Sequence, residues 1–394
     1  MNHHELMKKV NTISVIILFV MAGCGKSEQS VDGIITVDVT ARYPKKELIL
    51  QDFMDVEYIP LETTDEFVCQ SFVRDIGKDI IIVTNRNDDG DIFFFDRNTG
   101  KGLKKINRKG QGGEEYTYAM GIVLDEENEE IFVNDPYAKK ILVYDYDGNF
   151  KRRFEHRDSI VFYSKVYNFD REHLICYDGE YDGSNERPYA IVSKQDGSVI
   201  KEVQIPFNEK KFAHVSRKDG SSDMVYTVKT HGHHPIIPYF ENWILVEPSS
   251  DTVFYYSNEH NKVPFIVRTP SVQSMDPEVF LFLNIFTDRY YFMETIKKEF
   301  DFDSNEGFPR KNLMYDKQKN SIFEYIVFNG DFSIKKQVYM NMGPINSEIV
   351  ACLILEAGDL LWSDEIGELK GRLKELAATL DEDSNAVLML VKHK

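Results

Sequence analysis

The chain has 394 residues, 42% of them hydrophobic and 28% charged, which supplies a large core and excludes a disordered protein. A formal net charge of −18 argues against nucleic acid as a partner, because phosphate recognition needs a basic surface. The 47 lysines and arginines are scattered and read as solvated positions.

The N-terminus carries the most specific local signal. Lys8-Lys9 forms a positive region, Ile13 to Met21 an apolar one, and Met21-Ala22-Gly23-Cys24 resembles the lipobox of bacterial lipoproteins. Nine uninterrupted apolar residues are too few to span a bilayer, which takes roughly 20. The expected organisation is a signal peptide over 1–23, lipid attachment at Cys24, a polar tether over 24–32 and a folded body over 33–394. Met7 is a second candidate start. The expected location is the bacterial cell envelope, at the outer membrane, with contact to the bilayer through the lipid anchor only.

Two short strands, Gly33 to Val39 and Leu48 to Phe53, precede Val56 to Leu61, which opens a repeating region. The first unit takes Phe67 to Ile76, Ile80 to Thr84, Ile92 to Phe95 and Leu103 to Asn107. The second has Ile122 to Leu124, Ile131 to Val133, Ile141 to Tyr144 and Phe150 to Phe154, with Asp147-Gly148 suited to a tight turn of positive φ. A third follows through Ser164 to Phe169, Leu174 to Tyr177, Tyr189 to Ser193 and Val199 to Ile205. The fourth uses Tyr239-Phe240 with Trp243 to Val246, then Asp251 to Tyr256 and Phe265 to Arg268, and the fifth Phe280 to Phe286, Tyr290 to Glu294, Lys311 to Tyr315 and Ile322 to Phe328. The last takes Glu348 to Glu356, Asp359 to Trp362 and Ala386 to Lys392. Ile366, Leu369, Leu373, Leu376 and Ala377 within it share one helical face, so a helical insert is predicted over about 366–380.

Six units with periods of about 35 to 60 residues, each apolar, turn, apolar, turn, predict an all-β fold. The architecture is a six-bladed β-propeller of four-stranded antiparallel blades with one C-terminal helical insert. A β-sandwich would hold fewer strands. Ring closure is expected from pairing an N-terminal with a C-terminal strand in one blade, which removes an open edge.

The pieces INRKGQGGEEY at Ile106 to Tyr116, IFVNDPYAKKILVYDYDGNFKRRF at Ile131 to Phe154 and SSDTVFYY at Ser249 to Tyr256 resemble the six-bladed β-propeller family of bacterial envelope lipoproteins, itself similar to NHL-repeat propellers. Gly113 stands where that family usually has Pro. The resemblance implies a cell-envelope binding or scaffolding role, often tied to glycan-utilisation systems, and brings no catalytic residues.

In a four-stranded blade the loops from second to third strand and from blade to blade share one face, and here those loops are the long ones. They collect Tyr, Arg, Asp and Asn, which marks that face for binding. The candidate residues are Arg86, Asp88, Asp135, Tyr137, Asp178, Tyr181 and Arg187, with a glycan, a peptide or an envelope protein as partner. Aromatic faces with amide and carboxylate edges suit sugars in particular. The alternative is an envelope polysaccharide hydrolase or lyase using carboxylates such as Asp88, Asp178 or Asp301 at the channel mouth. No cofactor is expected. The His231-Gly232-His233-His234 run and the acidic stretch Asp301 to Gly307 lack metal-site spacing and read as loops. Cys69, Cys176 and Cys352 lie in apolar runs and are expected as free, buried thiols.

Overall fold

A computed structural model describes residues 33–85, 89–157, 162–178, 187–220, 222, 224–230 and 232–394. The second and third strands of most units are apolar on both faces. Ile81 to Val83 and Ile92 to Phe95, for example, are all buried. A sheet with two apolar faces needs a neighbour on each side, and a ring of blades supplies both. Odd and even side chains then serve different neighbours, so Phe93 and Phe95 pack with Leu388 and Leu390 on one side. Ile92 and Phe94 pack with Ile131 and Val133 on the other.

The protein is a six-bladed β-propeller. Blade one comprises Phe72–Ile76, Ile80–Thr84, Asp91–Asp96 and Gly102–Asn107 from hub to rim; blade two comprises Gly121–Asp125, Glu130–Asp135, Lys140–Asp145 and Phe150–Glu155. Tyr163–Asn168, His173–Asp178, Tyr189–Ser193 and Val199–Val203 make blade three, and Ile236–Tyr239, Asn242–Leu245, Thr252–Tyr256 and Lys262–Thr269 make blade four. Blade five is Val279–Phe286, Tyr290–Lys297, Arg310–Asp316 and Ser321–Phe328. Apolar clusters fill the interface between each pair of neighbouring blades, including the one that closes the ring.

The N-terminal segment straps three blades together. Ile35–Asp38 adds a parallel strand to the rim of blade four and Lys45–Ile49 adds one to the rim of blade five. Asp55–Pro60 then becomes the outer strand of blade six, antiparallel to the C-terminal strand Val387–Lys392, which in turn pairs with Ile349–Leu355. The expected closure between chain ends is therefore present. The innermost place in blade six belongs to Met342–Ser347, which lines the hub without strand pairing. Asn346 ends this stretch in a side-chain-capped turn, its Oδ1 accepting from Ile349 N at 2.7 Å and Glu348 N at 2.9 Å. Asp170 builds the same turn between the first two strands of blade three.

Three local expectations need correction. Strand Leu48 to Phe53 stops at Ile49, and Leu50–Phe53 is a helical turn whose Leu50 plugs the core between blades five and six. Asp359 to Trp362 is helix, part of Ala357–Glu365, because Ala357 and Leu360 lie three apart and bury together. The single predicted helix is two, broken at Gly367 with φ of +73° and resumed at Gly371–Ala377; Leu369, Leu373, Leu376 and Ala377 are buried, but Ile366 is exposed at the break.

Glycine occupies the turns between third and outer strands in blades one, two and three. Gly197 has φ of +73°, and a Cβ there would collide with the Phe154 ring of the preceding blade. Two inserted hairpins, His214–Lys218 with Val225–Lys229 and Phe300–Asp301 with Glu306–Gly307, meet through an Arg217 to Asp303 ion pair of 2.7 Å. Val215, Val228 and Phe300 pack there around Phe280 and Phe282 of blade five. Cys69, Cys176 and Cys352 are free thiols, with Cys176 fully buried. Among the described residues no helix is long and apolar enough to cross a membrane.

Candidate functional site

Inner strands of a propeller face the central channel, so they need not be apolar on both sides. Phe72–Ile76 reads FVRDI and Tyr163–Asn168 reads YSKVYN, with most positions only half-buried. They bound a cavity of about 1020 Å³ at the hub, lined from blades one, two, three, four and six. A second hollow of about 440 Å³ lies at the turns where the inner strands end, between Gly77, Glu126 and Asp170.

Blade one sends Arg74 and Asp75 into this region. A bulge between Val73 and Asp75 breaks the alternation at Arg74. Its guanidinium donates from Nε to Thr84 Oγ1 and from Nη1 to Met120 O, both at 2.7 Å, and lies over the Phe72 ring at 4.4 Å. Blade three contributes Lys165, also beside a bulge, between Tyr163 and Lys165. Lys165 is exposed, and its accessible surface borders the cavity. Lost hydration, with the nearby charge of Arg74, holds its amine below the usual lysine range.

The lower end of the cavity is a belt of side chains that stitch inner elements together. Asp75 accepts from Leu124 N of blade two and from Ile76 N, each at 2.8 Å. Asn168 of blade three donates to Leu124 O at 2.6 Å, and Asn346 of blade six donates to Ile76 O at 2.7 Å. Burial, helped by the charge of Glu126, raises Asp75 to about 7 against the lowering effect of its two amide donors. By surface Asp75 is only half-buried, because its open side borders the cavity; the dense protein around it governs its hydration.

Aromatic rings complete the wall. Trp243 packs with Phe169 at 5.9 Å and Tyr167 at 6.2 Å, and donates from Nε1 to Asn258 Oδ1 at 3.3 Å. Tyr118 lies edge-on to Tyr137 at 5.2 Å. Asn168 Oδ1 is buried with no partner. Rings beside amide groups and charged tips can cover C–H patches and bind hydroxyl groups together.

Of the residues expected from the loops, the four that are described lie elsewhere. Asp135 is fully buried and accepts from Thr117 N and Oγ1 at 2.7 Å, so it ties the blade-two entry loop to the second strand. Tyr137 is exposed and reaches the cavity only through Tyr118. Asp178 is buried within 3.5 Å of Arg157, and Arg187 pairs with Glu202 at 2.9 Å on blade three. Arg86, Asp88, Tyr181 and Cys24 lie outside the described residues. None of the described four lines the cavity. The signal for Arg74, Asp75 and Lys165 was legible as charge in the middle of strand patterns.

Among the described residues no cluster of three or more potential metal ligands occurs. His233 packs against Tyr177 and Phe282, and His234 lies in the cavity wall with Nε2 at 3.3 Å from Asn341 O. Asp301 to Gly307 forms the second inserted hairpin, with Asp301 capping the Asp303 amide at 2.8 Å.

A family model described as a domain of unknown function, DUF4934, matches residues 34–392. The chain belongs to that family. No curated protein matches it. Among solved structures it is similar to a Bacteroides fragilis protein described as exported, with 15% identity over 92% of this chain and 99% of that one and a TM-score of 0.58. A DUF4221-family member from Bacteroides vulgatus is 13% identical over 87% of this chain and 97% of its own, with a TM-score of 0.47. An inactive virginiamycin B lyase from Staphylococcus aureus, solved with quinupristin, is 12% identical over 69% and 88%, with a TM-score of 0.34. The Bacteroides fragilis likeness speaks to the fold alone.

Proposed function

We propose that this chain is an exported, lipid-anchored binding protein of the bacterial envelope that holds a small polar ligand, of sugar type, in its hub cavity. The leader and Cys24 motif support export and anchoring, and the Bacteroides fragilis protein of similar fold is described as exported. The observation that carries the binding reading is the cavity itself. It is large enough for one or two sugar rings and combines Trp243 and Tyr167 with Asn168 and Asn258. Calorimetric titration of the full chain in detergent with a panel of mono- and disaccharides tests this. Saturable binding that Trp243→Ala weakens about tenfold or more is expected. Absence of binding across the panel would overturn the reading.

A hydrolase or lyase is the second reading, favoured by one observation, the rise of Asp75 to about 7. Both of its oxygens already accept backbone amides, which suits a structural clamp better than a proton shuttle. Product analysis run beside the titration separates the two, since turnover lost in Asp75→Asn would favour the enzyme.

A further inference from the structure

We propose that the turn Phe240-Glu241 of blade four is a second ring subsite at the lower end of the hub cavity, so that the ligand is a neutral saccharide of at least two joined rings. This rests on the binding reading above and sets the length and charge of the ligand.

The observation that carries it is the residue at the turn. Tyr239 pairs with Asn242, which leaves Phe240 and Glu241 as a two-residue hairpin turn, and Phe240 adopts φ of +52°. Such turns favour glycine, asparagine or aspartate at a left-handed position, because a bulky side chain there crowds its own backbone. Phe308 has a similar φ of +51°, but its ring is only 6% exposed and packs with Phe280 and Phe282, so burial offsets the strain. Phe240 is 42% exposed and lines the cavity. The corresponding turns of blades one, two, three and five are Gly77 to Asp79, Glu126 to Glu129, Asp170 to Glu172 and Asp288-Arg289, and none carries an aromatic residue. A strained, open aromatic ring where the other blades put polar groups has its use outside the fold.

Placement and surroundings fit a stacked sugar. The His393 imidazole backs the Phe240 ring at 4.9 Å with 25° between the planes, and Tyr239 lies against it at 4.9 Å, so the ring is braced. Pro238, the register partner of Trp243, precedes Phe240 by two residues, a step of roughly 7 Å along the strand. That step is about one sugar ring with its linkage. Trp243 and Phe240 therefore line the same wall one unit apart. Glu241, exposed beside Phe240 in that wall, offers a carboxylate that accepts from hydroxyl groups. The same carboxylate, on a chain of net charge −18, turns away anionic sugars.

The test is titration of the full chain in detergent with three pairs of sugars: glucose and cellobiose, galactose and galactobiose, mannose and mannobiose. In a pair that binds, the disaccharide should bind at least about tenfold more tightly than its monosaccharide. Phe240→Asn and Phe240→Gly both suit the left-handed backbone, and each should erase that margin while holding monosaccharide affinity within about twofold. Phe240→Trp should keep the margin, and Trp243→Ala should weaken both sugars alike. A melting curve close to that of the parent, in either the Asn or the Gly variant, shows that the loss is local. Equal binding of the two sugars of every pair, or an unchanged margin in a folded Asn or Gly variant, overturns the subsite and leaves the binding reading standing. Failure of all the sugars to bind overturns both.

Discussion

The carboxylate of Asp75 accepts the backbone N–H of Leu124 at 2.8 Å across the boundary between blades one and two. The carbonyl of the same Leu124 is taken by Asn168 of blade three. One backbone residue thus joins three blades at the hub, where the inner strands of a propeller diverge and share few ladder bonds. A side chain replaces the missing sheet, and the replacement titrates.

Asp75 gives the first prediction. Its folded value is about 7, above the ordinary 3.8. Between those values the folded state holds a proton that the unfolded state has released, so its stabilising share is complete below about pH 4 and lost as pH rises through 7. The local slope is up to about 1.4 kcal/mol per pH unit. Asp75→Asn should flatten this contribution at the cost of one weakened amide contact, about 1 kcal/mol. Urea unfolding at intervals from pH 4 to 8 measures it, and a slope unchanged in the variant would refute the assignment.

His156 supplies the opposite slope. Its Nδ1 accepts from Tyr163 N at 3.1 Å, so Nε2 carries the proton and faces Asn134 Oδ1 at 2.9 Å. Asn134 closes the loop by donating to Tyr163 O at 2.7 Å. Burial depresses His156 to about 4 from 6.5, so its stabilising share is present above 6.5 and lost as pH falls through 4. Between pH 4 and 6.5 the two groups oppose each other. Asp75→Asn should therefore expose stability that rises with pH, His156→Phe stability that falls with pH, and the double variant neither. Single variants sharing the same sign of change would rule this out.

Ring closure gives a third. Asn385 precedes the C-terminal strand and accepts from Cys69 N at 3.0 Å, donates to Glu62 O at 2.7 Å, and receives support from Thr63 Oγ1 on its own N–H at 2.7 Å. It joins the outer strand of blade six to the entry of blade one. Asn385→Ala leaves buried groups unsatisfied and should cost about 1–3 kcal/mol. Deletion of 385–394 removes a central strand of blade six and should abolish the single cooperative transition. A truncated chain that melts like the parent would show that closure is dispensable.

Fold was readable because a blade imposes a local pattern. Ile81 to Val83 and Ile131 to Val133 must be apolar on both faces, and Gly148 must turn, whatever the rest of the chain does. The two C-terminal helices were half-legible: the buried stripe Leu369 to Ala377 shows its spacing, but LLW at 360–362 suits strand and helix alike, and burial of Leu360 beside Ala357 decides it. The site was harder. Loop length pointed to Asp135 and Asp178, which the fold uses as buried clamps. Arg74 and Lys165 are 91 positions apart by their numbers and meet only because the ring brings first strands together. Met342–Ser347 has no strand pattern at all, and only its neighbours show that it occupies an inner place.

The last prediction concerns the buried pair between Lys194 and Asp125, 2.7 Å apart, with side chains 7% and 4% exposed. Lys194 sits on the outer turn of blade three and Asp125 at the end of the inner strand of blade two, which also receives Asn128 Nδ2 at 2.9 Å. Both charges left water to meet, so the attraction largely offsets their desolvation, and the pair as a whole adds little net stability. Removing one partner is different. Lys194→Met leaves a carboxylate buried with only the two neutral donors of Asn128 and should cost about 3–5 kcal/mol, whereas Asp125→Asn with Lys194→Met should recover most of that loss. A double-mutant cycle by urea unfolding at pH 7 reads the coupling directly. Additive single effects would mean that the two charges are solvated independently, and the blade-two to blade-three contact would then rest on the apolar cluster of Phe132, Phe154 and Leu174 and on neutral side-chain bonds such as Asn134 to Tyr163 O.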